Sequence, residues 1–318
     1  IRQAELQRSE ARKAERLSEA SCQSRVALVL PDWVRRLDVD YPIAACGSAT
    51  SSIYLAHLET GEILATTRGI GSTDQEESTL SEERVEHTIN QLFGQFDGGG
   101  TLAVALEGTL LCEAKRTGGV NVWRLNPADD KMSLISQGTM PGLRDCLVTT
   151  MQIRDGCLFV GTDDGRVEAY SIEDSLPLSL RTEPDYSWKV GVSNKSIILS
   201  VDVNPELGCV VVTSDSGSVD LLSLDEDGPD PIGSFVPPFD GLERRSSNAF
   251  PTSATIVDVT QPLSQSELKT SIQVERKTSF AIVCGSNDGS LFVQPLSTDA
   301  SDINVDSPFI GKIRQLMP

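Results

Sequence analysis

Histidine is almost missing from this sequence: His57 and His87 are the only two, and neither has a second ligand at a metal-binding spacing such as His-x-x-x-His. Both read as structural residues, and no metal site is expected. No Gly-x-Ser-x-Gly elbow presents a serine nucleophile. Phosphate cradles are absent too. "GIGSTD" from Gly69 lacks the third glycine of a dinucleotide loop, and Gly98-Gly99-Gly100 has neither the lysine nor the helix start that such a cradle needs. No cofactor and no catalytic residue is therefore expected. No run approaches the ~18 apolar residues of a membrane-spanning helix. Cationic residues are in deficit, with 27 Lys and Arg against 46 Asp and Glu, a formal charge of −19. A surface that acidic repels phosphate backbones, which argues against nucleic acid as a partner.

The seven cysteines, Cys22, Cys46, Cys112, Cys146, Cys157, Cys209 and Cys284, include no Cys-x-x-Cys pair. Several stand inside apolar runs such as "CLFVG" and "CVVVTS", where a free thiol behaves as a small buried hydrophobe. Cys157, Cys209 and Cys284 are expected to be buried and unpaired in a reducing interior. The chain begins at Ile1 rather than Met. The compartment stays open: cysteine usage points to an intracellular one, either cytoplasm or an organelle reached after removal of a targeting peptide.

What the sequence does contain is a repeat. Five segments share one pattern: "IAACGSATSSIYLAHLETGE" from Ile43, "TLLCEAKRTGGVNVWRLNP" from Thr109, "CLFVGTDDGRVEAYSIED" from Cys157, "CVVVTSDSGSVDLLSLDED" from Cys209 and "FAIVCGSNDGSLFVQPLST" from Phe280. Each is an apolar strand, a tight turn of small or acidic residues, then an alternating strand, as in Val167 and Ala169 against Glu168. The turn anchors are Ser51, Gly118, Gly165, Gly217 and Gly289. At such a turn the backbone must take positive φ, where Gly, Asn and Asp are favoured. That shared slot accounts for Asp163-Asp164-Gly165 without chemistry, and one or two carboxylates per turn fall short of the six to eight oxygens of a calcium site. Apolar runs precede the hairpins ("WVRRLDV", "TLAVAL", "CLVTTMQI", "IILSVDV", "ATIVDVT"), and a weaker fourth run follows, clearest in "GEILATT" and "GSFVPP". Four strands per unit, repeated radially, make a β-propeller of four-stranded antiparallel blades with at least five blades.

At these residues the chain resembles the WD-repeat (transducin-like) β-propeller family. "GGVNVWR", Gly118 to Arg124, comes closest to that family's turn glycine, alternating strand and closing Trp-Asp pair. The closing pairs here read Ala56-His57, Trp123-Arg124, Tyr170-Ser171, Leu222-Ser223 and Gln294-Pro295, and no Gly-His dipeptide occurs. The family's buried hydrogen-bond tetrad is therefore missing. "TSDSGSVD" from Thr213 matches the sialidase-type turn only partly. The resemblance covers roughly residues 25 to 318, so a propeller domain is expected over 25–318 and an extension over 1–24. "PFIGKIRQLMP", from Pro308, reads as the opening strand of a further blade. It makes the chain a fragment of a larger propeller, unless N-terminal strands complete the last blade.

The extension, "IRQAELQRSEARKAERLSEAS", is rich in helix formers and has no Gly or Pro. An N-terminal α-helix is expected, with a thin apolar stripe of Ile1, Leu6, Ala14 and Leu17 as partner contacts. Three insertions, 69–86, 225–248 and 261–277, are rich in Ser, Glu, Asp and Pro and are expected as rim loops. The function that follows is a non-catalytic scaffold or adaptor whose partners are other protein subunits of an assembly. Two alternatives stand beside it. One is an accessory subunit of an organellar membrane complex, with no direct span of its own. The other is a propeller hydrolase or lyase with a site in the central channel, which needs polar residues where the inner strands here carry Ile, Val, Leu, Thr and Met.

Overall fold

The structure is a computed structural model that describes residues 26–49, 52–67, 100–116, 118–126, 133–140, 143, 146–172, 182–190, 196–224, 231–237, 250–258, 280–287, 289–299 and 302–304. These residues form twenty strands in five four-stranded antiparallel sheets, each sheet built from four strands in sequence order. Blade 1 is β1 (Val34–Asp40), β2 (Ile43–Ser48), β3 (Ile53–His57) and β4 (Glu62–Thr67). Blade 2 is β5 (Thr101–Glu107), β6 (Leu110–Lys115), β7 (Val120–Asn126) and β8 (Ser133–Thr139). Blade 3 is β9 (Val148–Arg154), β10 (Cys157–Thr162), β11 (Arg166–Ser171) and β12 (Tyr186–Lys189). Blade 4 is β13 (Ile198–Asn204), β14 (Cys209–Ser214), β15 (Val219–Ser223) and β16 (Pro231–Phe235), and blade 5 is β17 (Pro251–Asp258), β18 (Phe280–Ser286), β19 (Leu291–Asp299) and β20 (Asp302–Asn304). The first strands pack side by side in order, β1 on β5, β5 on β9, β9 on β13 and β13 on β17. Successive meanders joined through their inner strands make this a β-propeller.

One irregularity recurs and sets the register of every blade. Each first strand carries one extra residue near its start: Arg35, Leu102, Leu199 and Thr252 fall at the register steps of blades 1, 2, 4 and 5. In blade 3, Val148 faces Thr162 and Thr150 faces Gly161, so Thr149 is the extra residue. A bulge at one place in each repeat fixes which side chains turn toward the preceding blade. Counting from it, the second and fourth residues are Val104 and Leu106 in blade 2, Met151 and Ile153 in blade 3, Val201 and Val203 in blade 4, and Ala254 and Ile256 in blade 5. All eight are buried.

The core is accordingly four cores, one between each consecutive pair of blades. Ile53 and Leu55 of blade 1 pack on Val104 and Leu106, and Cys112 and Val122 of blade 2 on Met151 and Ile153. Phe159 and Ala169 of blade 3 pack on Val201 and Val203, and Val211 and Leu221 of blade 4 on Ala254 and Ile256. Both faces of an inner blade are thus apolar, which is why β14, "CVVVTS", reads as a continuous apolar run. A smaller cluster of Leu102, Leu147, Ile197 and Leu199, with Phe250 packed against it, joins the starts of the inner strands.

The fourth strands of blades 2, 3 and 5, "SLISQGT", "YSWK" and "DIN", carry no alternation strong enough to be read in advance. Edge strands held on one side alone tolerate polar, short sequences. The expected N-terminal helix, with Ile1, Leu6, Ala14 and Leu17, lies outside the described residues, as do Ser51 and the insertions 69–86 and 261–277. The middle of 225–248 is not a rim loop but β16, Pro231–Phe235, which pairs with β15 as the outer strand of blade 4.

Candidate functional site

The turns between second and third strands are where polar groups collect. Gly118, Gly165, Gly217 and Gly289 each occupy one, in four separate sheets, with φ between 79° and 91°. Gly165 is additionally hemmed in: a Cβ there would stand 3.1 Å from the carbonyl oxygens of both Ser196 and Val190. Around these turns, blades 2 to 4 hold three different networks. In blade 3 the Thr162 hydroxyl donates to Asp164 Oδ1 at 2.6 Å and accepts the Arg166 N–H at 3.1 Å. Arg166 donates from Nε to Asp164 at 2.8 Å and from Nη1 to Glu168 at 2.7 Å, and the Tyr170 hydroxyl donates to Glu168 Oε2 at 2.8 Å. Burial, reinforced by the Glu168 hydrogen bond and charge, pushes the Tyr170 hydroxyl far up from its ordinary value.

Blade 4 replaces the ion pairs with hydroxyls. Ser214, Ser216 and Ser218 lie within 2.6 to 3.2 Å of one another, and Ser218 donates to Asp220 Oδ2 at 2.6 Å. In blade 2 the buried Glu113 accepts from the Thr101 hydroxyl at 2.9 Å, with Lys115 at 3.8 Å. Glu113 and Asn121 stand opposite each other across β6 and β7, just as Val160 faces Glu168 and Val212 faces Asp220. These groups line the turns of blades 2 to 4 with different chemistry in each blade. Each carboxylate in them is held by donors of its own blade, so the networks cross-link the turn to the strand behind it. Among the described residues no three His, Cys, Asp or Glu side chains converge as metal ligands. His57 ends β3 and accepts the Thr60 N–H on Nδ1 at 3.4 Å, a turn contact.

A second set of polar side chains was not read from the sequence. On the inner strands, one blade's carboxylate or carboxamide accepts a backbone N–H of the next. Asp38 takes Leu106 N at 2.8 Å and Asp40 takes Gly108 N at 2.6 Å, from blade 1 to blade 2. Glu107 takes Asp155 N and Gly156 N at 3.1 and 3.0 Å, from blade 2 to blade 3. Gln152 takes Val203 N at 2.7 Å, and Asp202 takes Ile256 N at 3.0 Å. Asp38, Gln152 and Asp202 occupy the same place, three residues past the bulge. Ala105 stands there in blade 2 and cannot accept, and Glu107 two residues on does so instead. The signal was available: a single polar residue between two apolar ones in "LDV", "MQI" and "VDV". Period-two reading absorbs such a residue as merely outward-facing.

The six cysteines among the described residues form no disulfide; Cys209 and Cys284 are buried, whereas Cys157, at the start of β10, is only half-buried. Burial pushes the thiols of Cys112, Cys146, Cys209 and Cys284 up to about 12. Apolar exposure is uneven. Of the ten large hydrophobic residues that are exposed among the described residues, eight belong to blade 1 or to the segment leading into it, among them Trp33, Leu37, Val39 and Tyr41.

No family model and no curated protein matches this sequence. Among solved structures, the chain is similar to the WD40 β-propeller domain of Doa1, at 14% identity over 86% of this chain and 68% of that one, with a TM-score of 0.47. It is also similar to two computationally designed proteins, Ika8 and Ika4. For Ika8 the identity is 16% over 82% of this chain and 70% of that one, with a TM-score of 0.44, and for Ika4 it is 13% over 64% and 100%, with a TM-score of 0.41.

Proposed function

We propose that this chain is a non-catalytic propeller scaffold that binds other protein subunits of an assembly. The observation that carries the reading is the concentration of exposed apolar side chains at blade 1: of ten among the described residues, Val34, Leu37, Val39, Tyr41 and Ile63 are on that blade, and Val26, Val29 and Trp33 are on the segment leading into it. Scattered exposed hydrophobics are ordinary, but a contiguous group marks a protein contact surface. The polar turn networks support the same reading, since Asp164, Glu168 and Asp220 are engaged within their own blades. The charge of −19 turns the remaining surface away from nucleic acid and toward protein partners.

Native electrophoresis and size-exclusion of a fresh extract test this. The protein is expected to migrate with an assembly several times its own mass, and migration at the mass of the single chain would overturn the reading. Fractionating the same extract into soluble and membrane-associated assemblies separates a soluble scaffold from an accessory subunit of an organellar membrane complex.

A further inference from the structure

We draw no further inference here: the strongest candidate, the uncovered apolar face of blade 1 at Leu37 and Val39 with its counterpart at Leu291 of blade 5, carries nothing beyond the scaffold reading, because nothing in the structure shows what covers it.

Discussion

Asp202 of blade 4 accepts the backbone N–H of Ile256 of blade 5 at 3.0 Å, with the same oxygen that takes the Thr255 hydroxyl at 2.9 Å. Its other oxygen lies 3.2 Å from Gln152 Nε2 of blade 3, and Gln152 in turn accepts Val203 N. Three consecutive blades are thus tied through one carboxylate. Asp202→Ala is expected to cost about 1–3 kcal/mol, because the Ile256 N–H loses a charged acceptor in a partly buried site. Asp202→Asn should cost less, since one acceptor oxygen remains. Urea unfolding reads both, and an alanine variant within about 0.5 kcal/mol of the parent would show that the bond does not hold the blades together.

Gly161 of blade 3 is required for a different reason. Its φ is not in the left-handed region; the constraint is space. A Cβ there would come 2.4 Å from Ile198 Cγ2 on blade 4 and 2.8 Å from Thr150 Cγ2. Gly161→Ala is expected to destabilise by about 1–3 kcal/mol through displacement of the neighbouring blade. Combined with Ile198→Ala, which removes the Cγ2 methyl, the two losses should be less than additive. Additive losses in that double variant would locate the strain elsewhere.

Four of the five hairpins carry three independent signals, an apolar strand, a glycine that must take positive φ and alternation after it, and the first, anchored at Ser51, was legible from its two strands alone. Gly118, Gly165, Gly217 and Gly289 sit in the turns those signals mark. The fourth strands of blades 2, 3 and 5 were not, since a strand such as Tyr186–Lys189 is paired on one side and needs no period of its own. The polar networks beside the turns of blades 2 to 4 were not legible either. Arg166, Glu168 and Tyr170 alternate as outward residues would, and only the packing of blade 3 on blade 2 turns that face inward. Asp38, Gln152 and Asp202 escaped for the same reason. In a propeller both faces of a blade are interior, so alternation no longer separates inside from outside.

Thiol chemistry follows the blades. Burial holds Cys112, Cys146, Cys209 and Cys284 protonated up to about 12, against an ordinary value of 9.0. Between those values the unfolded chain has lost thiol protons that the native chain keeps, so stability falls as pH rises through that window. In a Cys22→Ser chain at pH 8, Cys157 is expected to react first with a thiol reagent and the five buried thiols, Cys46 included, only on unfolding. Rapid reaction of Cys209 or Cys284 in the native protein would mean that the contact between blades 4 and 5 opens readily.

Glu113 makes the last case, because two opposing effects meet on one buried carboxyl. Its side chain is fully buried in blade 2, accepts from Thr101 and lies 3.8 Å from Lys115. Burial pushes the carboxyl up from 4.5 by more than the Lys115 charge and the hydrogen bonds from Thr101, Asn121 and Lys115 pull it down. A raised native value means that the protonated form is the one the fold prefers. Its contribution is full below 4.5 and is lost as pH rises through the native value. Glu113→Gln keeps the shape and the acceptor while removing the charge, so the variant should be more stable than the parent at pH 7. The difference should close as the pH is lowered below 4.5, where both side chains are neutral. Paired urea titrations at pH 7 and at pH 4 decide it: a glutamine variant that is weaker at pH 7 would show that the Lys115 pair outweighs burial and that the native protein holds Glu113 as the anion.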